Sequence, residues 1–264
     1  MAVLEDFTVA KTIATAIGIG AILLTVEIGL GYASYHVKPV ILGSNIVGGL
    51  FFGAGMAILG YCPGTLPVSL GQGSLDALVG IAGGLTAGLL YTTLSPSIHE
   101  VLGPDFGAIS LYSALGENAV LFYTLAFIIG IAFIGFSFWL NKFEKKKDIK
   151  WFYSGIGVAV VACLTFATSL TNRGIGASTF YPYAADVLTG TTSNDYFVKV
   201  AEKSGNWEMK FLLGAFLSGL VISLLRKEFV LKMVHENWIR FKGPSVPKRI
   251  IWSFVGGFLL LFGA

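Results

Sequence analysis

Charged residues are scarce in this chain, and so are cysteines. Of its 264 residues only 12% are Asp, Glu, Lys or Arg, whereas 55% are hydrophobic. A soluble domain needs a polar surface, so this composition argues against a soluble fold and predicts an integral membrane protein. The two cysteines, Cys62 and Cys163, lie in or beside apolar stretches. Such cysteines do not suit the disulfide framework of a secreted domain, and neither belongs to a metal-ligand cluster.

Basic residues are confined to a few loops. No Lys or Arg occurs from Pro39 to Asn141, and residues 141–150 then read NKFEKKKDIK. A second basic segment spans 226–249 and contains Arg226, Lys227, Lys232, Arg240, Lys242, Lys248 and Arg249. The positive-inside rule places both segments in the cytoplasm, so the basic charge indicates membrane topology and not nucleic-acid binding. Lys11 and Lys38 alone leave the orientation of the N-terminal half open.

Long apolar runs predict an all-α, polytopic helix bundle that forms a single transmembrane domain over residues 1–264. Runs long enough to span a bilayer occur at 12–32, 44–61, 75–94, 119–140, 151–171 and 209–226. A seventh begins at Ile250 and reaches Ala264, which is shorter than the roughly 20 residues of a full span. A Ser with a base, paired aspartates on facing spans and a His-Glu-x-x-His metal site are all missing, so we do not expect an enzyme.

A glycine pattern indicates an inverted repeat. Val47-Gly48-Gly49, then five residues and Gly55, matches Val255-Gly256-Gly257, then five residues and Gly263. The predicted topology takes the two copies into the membrane from opposite sides, as in many transporters. We expect one half-repeat at about 38–140 and an incomplete second one at about 151–264. Gly80, Gly84 and Gly88 form a small-xxx-small stripe, which predicts close packing of the third span against a neighbour.

The segment 60–73, GYCPGTLPVSLGQG, has to break the helix near membrane depth, because no soluble loop separates the second and third spans. Pro63 suits the first position of a short re-entrant helix, with Cys62 at its cap. Helix N-terminal amides favour an anion and lower the pKa of a thiol. Cys62, Pro63, Gly64 and Thr65 are therefore candidates to line a route for an anionic or sulfur-bearing solute. A small buried cysteine beside a proline kink explains the sequence equally well.

A similar break follows the fifth span. Gly174, Gly176, Ser178 and Thr179 precede a short helix from Phe180, where their backbone and hydroxyl groups can act as donors to a solute. The alternative is an ordinary capped helix at the far membrane interface.

Among the acidic residues in or near the predicted helices, we singled out Glu27, Asp76 and Asp186. Glu27 lies inside the first span and is a candidate intramembrane acid, with a packing role as the alternative to a proton relay. Asp76 and Asp186 fall at helix ends, where we expect solvated caps.

The motifs around Cys62 resemble those of the YeeE/YedE family of sulfur transporters. Similarity extends over 48–65 and 71–80, over Arg173 to Tyr183, and over the end of the chain from Lys248, and it covers nearly all of the sequence from Lys38 onward. Gly-Tyr-Cys-Pro-Gly-Thr is the most specific part of it. Family members continue into a second cysteine motif, Gly-Gly-Cys-Thr-Ser-Gly-His, and we expect that the present sequence is truncated before it.

The resemblance implies uptake of thiosulfate or a related sulfur compound across the bacterial inner membrane through an hourglass of inverted halves. Cysteines at the constriction would pass the anion by thiol hydrogen bonds, and Cys62 matches one of them. A cytoplasmic sulfur-carrier or rhodanese-like protein is the implied partner, and no cofactor is expected. Two alternatives stay open: a pore for another small anion, and a sulfur-relay or scaffold subunit that does not transport.

Overall fold

The chain is built from α-helices. The computed structural model describes residues 7–144, 148–202 and 206–264. Within these ranges the regular secondary structure consists of α-helices, and no β-strand is present. The helices are α1 (Thr8–Gly29), α2 (Leu42–Leu59), α3 (Thr65–Gly71), α4 (Leu75–Val101), α5 (Leu111–Ala114), α6 (Ala119–Phe143), α7 (Lys150–Phe166), α8 (Phe180–Thr189), α9 (Asp195–Glu202), α10 (Asn206–Leu225), α11 (Glu236–Lys242) and α12 (Val246–Phe262).

Within the described ranges, five stretches of helix are long and apolar enough to cross a membrane. They are Thr8–Gly29, Leu42–Leu59, Leu75–Leu94, Ala119–Phe143 and Trp207–Leu225. The apolar helix α7 is shorter, with 17 residues, and so is α12. The predicted polytopic, all-α membrane protein is confirmed.

The predicted fifth span is too long at its C-terminal end. Helix α7 ends at Phe166 and not at 171, and Ala167 takes an extended ψ of 130°. The sequence after it is rich in hydroxyls, which compete for backbone groups and end helices. Thr171 donates its hydroxyl to the carbonyl of Thr165, and the N–H of Thr168 donates to the carbonyl of Tyr32 at 2.8 Å.

One compact unit comprises Met1–Val40 and Phe106–Ile175. Its α1 packs on α6 and α7 through glycines, and a Cβ placed on Gly18 would lie 2.6 Å from the carbonyl oxygen of Gly130. Close backbone contact of this kind is typical of membrane helices.

Helix α1 begins at Thr8, earlier than predicted, because the charge of Lys11 is compensated inside the protein. The buried ammonium of Lys11 pairs with Glu144, donates to Asn141 at 3.0 Å and lies over the ring of Trp151. The start of α1 therefore lies beside the end of α6, on the same side as the basic segment 141–150. Lys145, Lys146 and Lys147 of that segment lie outside the described residues.

The second compact unit comprises Ile41–Asp105 and Gly176–Ala264. Helix α4 packs between α12 and α8, and its small-residue stripe has the predicted role. A Cβ added to Gly257 of α12 would lie 2.1 Å from the carbonyl oxygen of Gly80, and one added to Gly88 would lie 2.7 Å from the backbone of Pro182. The bare faces of these helices let the backbones touch.

The glycines of the sequence repeat meet each other. Helices α2 and α12 run antiparallel, and a Cβ on Gly48 would lie 3.0 Å from the oxygen of Gly263, whereas one on Gly55 would lie 2.8 Å from the oxygen of Gly256. The first glycine of each copy thus faces the last glycine of the other. A two-fold axis produces this reciprocity, which supports the inverted repeat. The half-repeat boundaries stay a prediction.

Candidate functional site

The second span breaks just before Cys62. Gly60 ends α2 in the left-handed region, with φ of 84°, where only glycine is unstrained. The carbonyl of Cys62 then accepts hydrogen bonds from the N–H groups of Thr65 and Leu66, both at 3.1 Å. Helix α3 begins at Thr65, two residues later than the position of Pro63 predicted. The N-cap is Gly64, so the prediction that Cys62 caps this helix is wrong, although the bond from Leu66 to the Cys62 carbonyl has helical spacing.

The side chain of Thr65 organises the turn. Its hydroxyl accepts the N–H of Cys62 at 2.9 Å and lies 3.1 Å from the carbonyl oxygen and 3.3 Å from the sulfur of the same residue. A hydroxyl has one proton, so it donates to that oxygen or to the sulfur. These contacts hold the thiol against the turn that leads into α3. The thiol itself is half-buried.

The two breaks found in the sequence meet in the second unit. Tyr181, in the first turn of α8, donates its hydroxyl to the carbonyl of Pro63 at 2.9 Å, and both groups are buried. A methyl placed on Gly64 would lie 3.7 Å from the Cβ of Ala177. The structure thus joins the Cys62 turn to the segment that leads into α8.

The predicted residues of the second break, Gly174, Gly176, Ser178 and Thr179, have different surroundings in the structure. A Cβ on Gly176 would lie 3.2 Å from the carboxylate of Glu208, whose position the sequence analysis had not singled out. The carbonyl of Ser178 accepts the N–H of Tyr181 at 3.2 Å, and Thr179 precedes α8 without a side-chain capping bond. Gly174 belongs to the first unit, where a Cβ on it would lie 3.0 Å from the ring of Phe166.

The expectation that Asp76 is a solvated cap is wrong. Its side chain is fully buried and pairs with the equally buried Arg249, whose Nε donates to Oδ2 at 2.9 Å and whose Nη2 donates to the same oxygen. A buried carboxylate persists only with a charged or multiply hydrogen-bonded partner. The partners are 173 residues apart, and no local sequence pattern connects them.

Further polar groups complete this cluster beside Cys62. The hydroxyl of Tyr61 lies 3.4 Å from each carboxylate oxygen of Asp76. The Nε2 atom of His235 lies 3.1 Å from the Ser74 hydroxyl and 3.9 Å from Asp76 Oδ1. Part of the His235 side chain is exposed, so the cluster reaches the surface at the segment before α11.

Asp186 is also buried, and the predicted solvated cap is wrong there too. Its carboxylate accepts hydrogen bonds from the hydroxyls of Thr92 and Thr191, both at 3.0 Å, and from the amide of Asn194 at 2.9 Å. Neutral donors therefore stabilise it, and they connect the end of α8 to α4 and to the start of α9.

Glu27 lies in the first unit and lines an apolar cleft of about 280 Å³. The walls include Cys163, Tyr32 and aliphatic side chains of α1 and α7. Its Oε2 atom is buried and has no hydrogen-bond partner in the described part of the chain. The two interpretations of Glu27, a proton relay and a packing role, both stay predictions.

Comparison with known proteins identifies relatives over the whole chain. The family model described as Sulphur transport matches residues 1–264. The chain is also 23% identical over 273 residues to the thiosulfate transporter TsuA of Spirochaeta thermophila, an alignment that covers 98% of this chain and 77% of that protein. Both descriptions are of transport and neither is of an enzyme, as the sequence analysis predicted.

Proposed function

The chain belongs to the sulphur transport family, and on that premise we propose that it carries thiosulfate or a related sulfur-containing anion along a route past Cys62. The similarity to a thiosulfate transporter supports this substrate class. The route is formed where the Cys62 turn meets the segment before α8, and its candidate lining residues in the second unit are Cys62, Pro63, Gly64, Thr65, Gly176, Ser178 and Thr179.

The observation that carries the proposal is the thiol held at a helix break. Irregular backbone within a membrane protein is tolerated where it is buried in protein or lines a polar cavity. The carbonyl of Pro63 is satisfied by Tyr181, and the backbone of Cys62 is satisfied by Thr65. The half-buried S–H group of Cys62 is then left as a donor that can hydrogen-bond an anion.

We also propose that the protein lies in the bacterial inner membrane with both basic segments in the cytoplasm. Helix α11 and the segment around it, residues 226–248, would be the surface that meets a sulfur-carrier or rhodanese-like protein, whereas Arg249 is buried against Asp76. Basic residues at a cytoplasmic face suit both the topology and an acidic partner.

Uptake of radiolabelled thiosulfate by proteoliposomes containing the full chain tests the proposal. Cys62→Ala should reduce uptake by about tenfold or more, because a hydrogen bond to a charged solute is lost. Cys163→Ala is the matched control, since Cys163 is the other half-buried free cysteine and should leave uptake unchanged. Thiosulfate should also slow maleimide labelling of Cys62 in the Cys163→Ala protein.

Other outcomes separate the alternatives. Equal uptake by both cysteine variants would remove Cys62 from the pathway. Preferred uptake of a sulfur-free anion would indicate a different pore. Absence of uptake together with carrier binding that is unaffected by Cys62→Ala would favour the scaffold subunit.

A further inference from the structure

We propose that Arg249 and Asp76 are positioning residues that set the orientation of the Cys62 thiol. The inference rests on the proposed role of Cys62 in transport, although the position of the thiol can be measured without transport. The proposal assigns a function to a buried ion pair whose two residues are 173 positions apart in the sequence.

Arg249 binds two helix ends at the same time. Its Nη2 donates to the carbonyl of Leu59 at 2.8 Å as well as to Asp76, and its Nη1 lies 3.4 Å from the carbonyl of Ile58. These carbonyls are the last of α2, where a cation is favoured by the helix dipole, and Asp76 is in the first turn of α4, where an anion is favoured. The planar guanidinium is also held over the ring of Trp238, at 4.8 Å.

The ion pair contacts the chain on both sides of Gly60 and so constrains the backbone there. Upstream, Arg249 fixes the carbonyls of Ile58 and Leu59, and downstream, Asp76 lies 3.4 Å from the hydroxyl of Tyr61. Cys62 is the next residue. A shift of the clamp therefore changes the direction in which the chain leaves α2, and the thiol moves with it.

Arg249→Lys separates this role from simple charge compensation. Lysine keeps the positive charge and can still pair with Asp76, but it lacks the planar fork that reaches the carboxylate and two carbonyls together. We expect a folded protein in which Cys62, in a Cys163→Ala background, reacts with maleimide about tenfold faster, because hydrogen bonds from a charged donor to the α2 carbonyls are lost. Thiosulfate uptake should show a raised KM.

A second experiment uses a matched ion pair. Asp76→Asn and Glu144→Gln each leave a buried cation, Arg249 or Lys11, without its carboxylate, so both should lower the unfolding temperature. The Lys11–Glu144 pair joins α1 to the end of α6 within the first unit, whereas residues 58–65 belong to the second unit. Only Asp76→Asn should change the labelling rate of Cys62 and the KM for thiosulfate, measured per folded protein.

The inference would be overturned if Cys62 were labelled at the parental rate in both Arg249→Lys and Asp76→Asn. It would also be overturned if Glu144→Gln changed the labelling rate of Cys62 as much as these two variants do. If Asp76→Asn fails to fold, the Arg249→Lys labelling rate decides alone. If the parent chain does not transport thiosulfate, the proposed function fails, while the labelling rates still test the positioning role.

Discussion

Gly55→Ala should separate α2 from α12, whereas Gly53→Ala, two residues away in the same helix, should not. A Cβ on Gly55 would lie 2.3 Å from the backbone nitrogen of Leu260, 2.6 Å from its Cα and 2.8 Å from the oxygen of Gly256. A Cβ on Gly53 meets no atom within 4 Å. The two substitutions add the same methyl group, so any difference between them reports the helix contact.

The size of the effect follows from these distances. An ordinary contact of 3.4 Å requires the 2.3 Å approach to open by about 1 Å, and every group in the way is backbone, so no rotamer change relieves it. Overpacking of this kind costs about 1–3 kcal/mol, and we expect the upper part of that range. Alanine gains about 1 kcal/mol of helix propensity over glycine at either site. The net expectation is about 2 kcal/mol of destabilisation for Gly55→Ala and about 1 kcal/mol of stabilisation for Gly53→Ala.

Thermal unfolding of the two variants in the same detergent measures this contrast. Gly55→Ala should lower the midpoint by about 5 °C, and Gly53→Ala should leave it equal or slightly higher. Identical midpoints, or a less stable Gly53→Ala, would refute the close antiparallel contact on which the reciprocal glycine pairing depends. Size-exclusion profiles before heating show whether each variant entered the detergent folded.

Two further predictions follow from single contacts. Tyr181→Phe removes the hydrogen-bond donor to the buried carbonyl of Pro63, so it should lower the free energy of unfolding by about 1 kcal/mol. It should also accelerate maleimide labelling of Cys62 in a Cys163→Ala chain. An unchanged labelling rate would show that this hydrogen bond does not hold the turn. The pairing of Lys11 with Glu144 places the start of α1 on the side of Glu144, at the end of α6. An N-terminal tag should therefore be protected from protease in intact spheroplasts and digested after permeabilisation, and digestion in intact spheroplasts would contradict the topology.

The sequence predicted what depends on composition and short spacing. Apolar length located the spans, the stripe of Gly80, Gly84 and Gly88 predicted close packing, and the break at Cys62 followed from the absence of a soluble loop. These features are local, because a membrane helix satisfies its own backbone groups and its length is set by the bilayer.

The charged interior was missed for a physical reason. An acid or base at the end of a span is compatible with water, with lipid headgroups or with a buried counterion, and only the fold distinguishes them. Asp76 and Arg249 are the clearest example, since their pairing requires the ends of α2, α4 and α12 to converge. The sequence analysis likewise did not single out His235, which the structure places against Ser74.

In the second unit, the glycine contacts and the Arg249–Asp76 ion pair constrain the positions of the helices in different ways. Backbone contacts between α2, α4 and α12 are tight along the helices but carry no directional groups, so small sliding or rotation of a helix changes them gradually. The Arg249 guanidinium is directional and binds the ends of the same helices at defined atoms. A thiol next to the end of α2 is therefore fixed more firmly by the ion pair than by the glycine contacts between the helices. This explains why a buried salt bridge, which contributes little net stability over an apolar equivalent, is suited to the position beside Cys62.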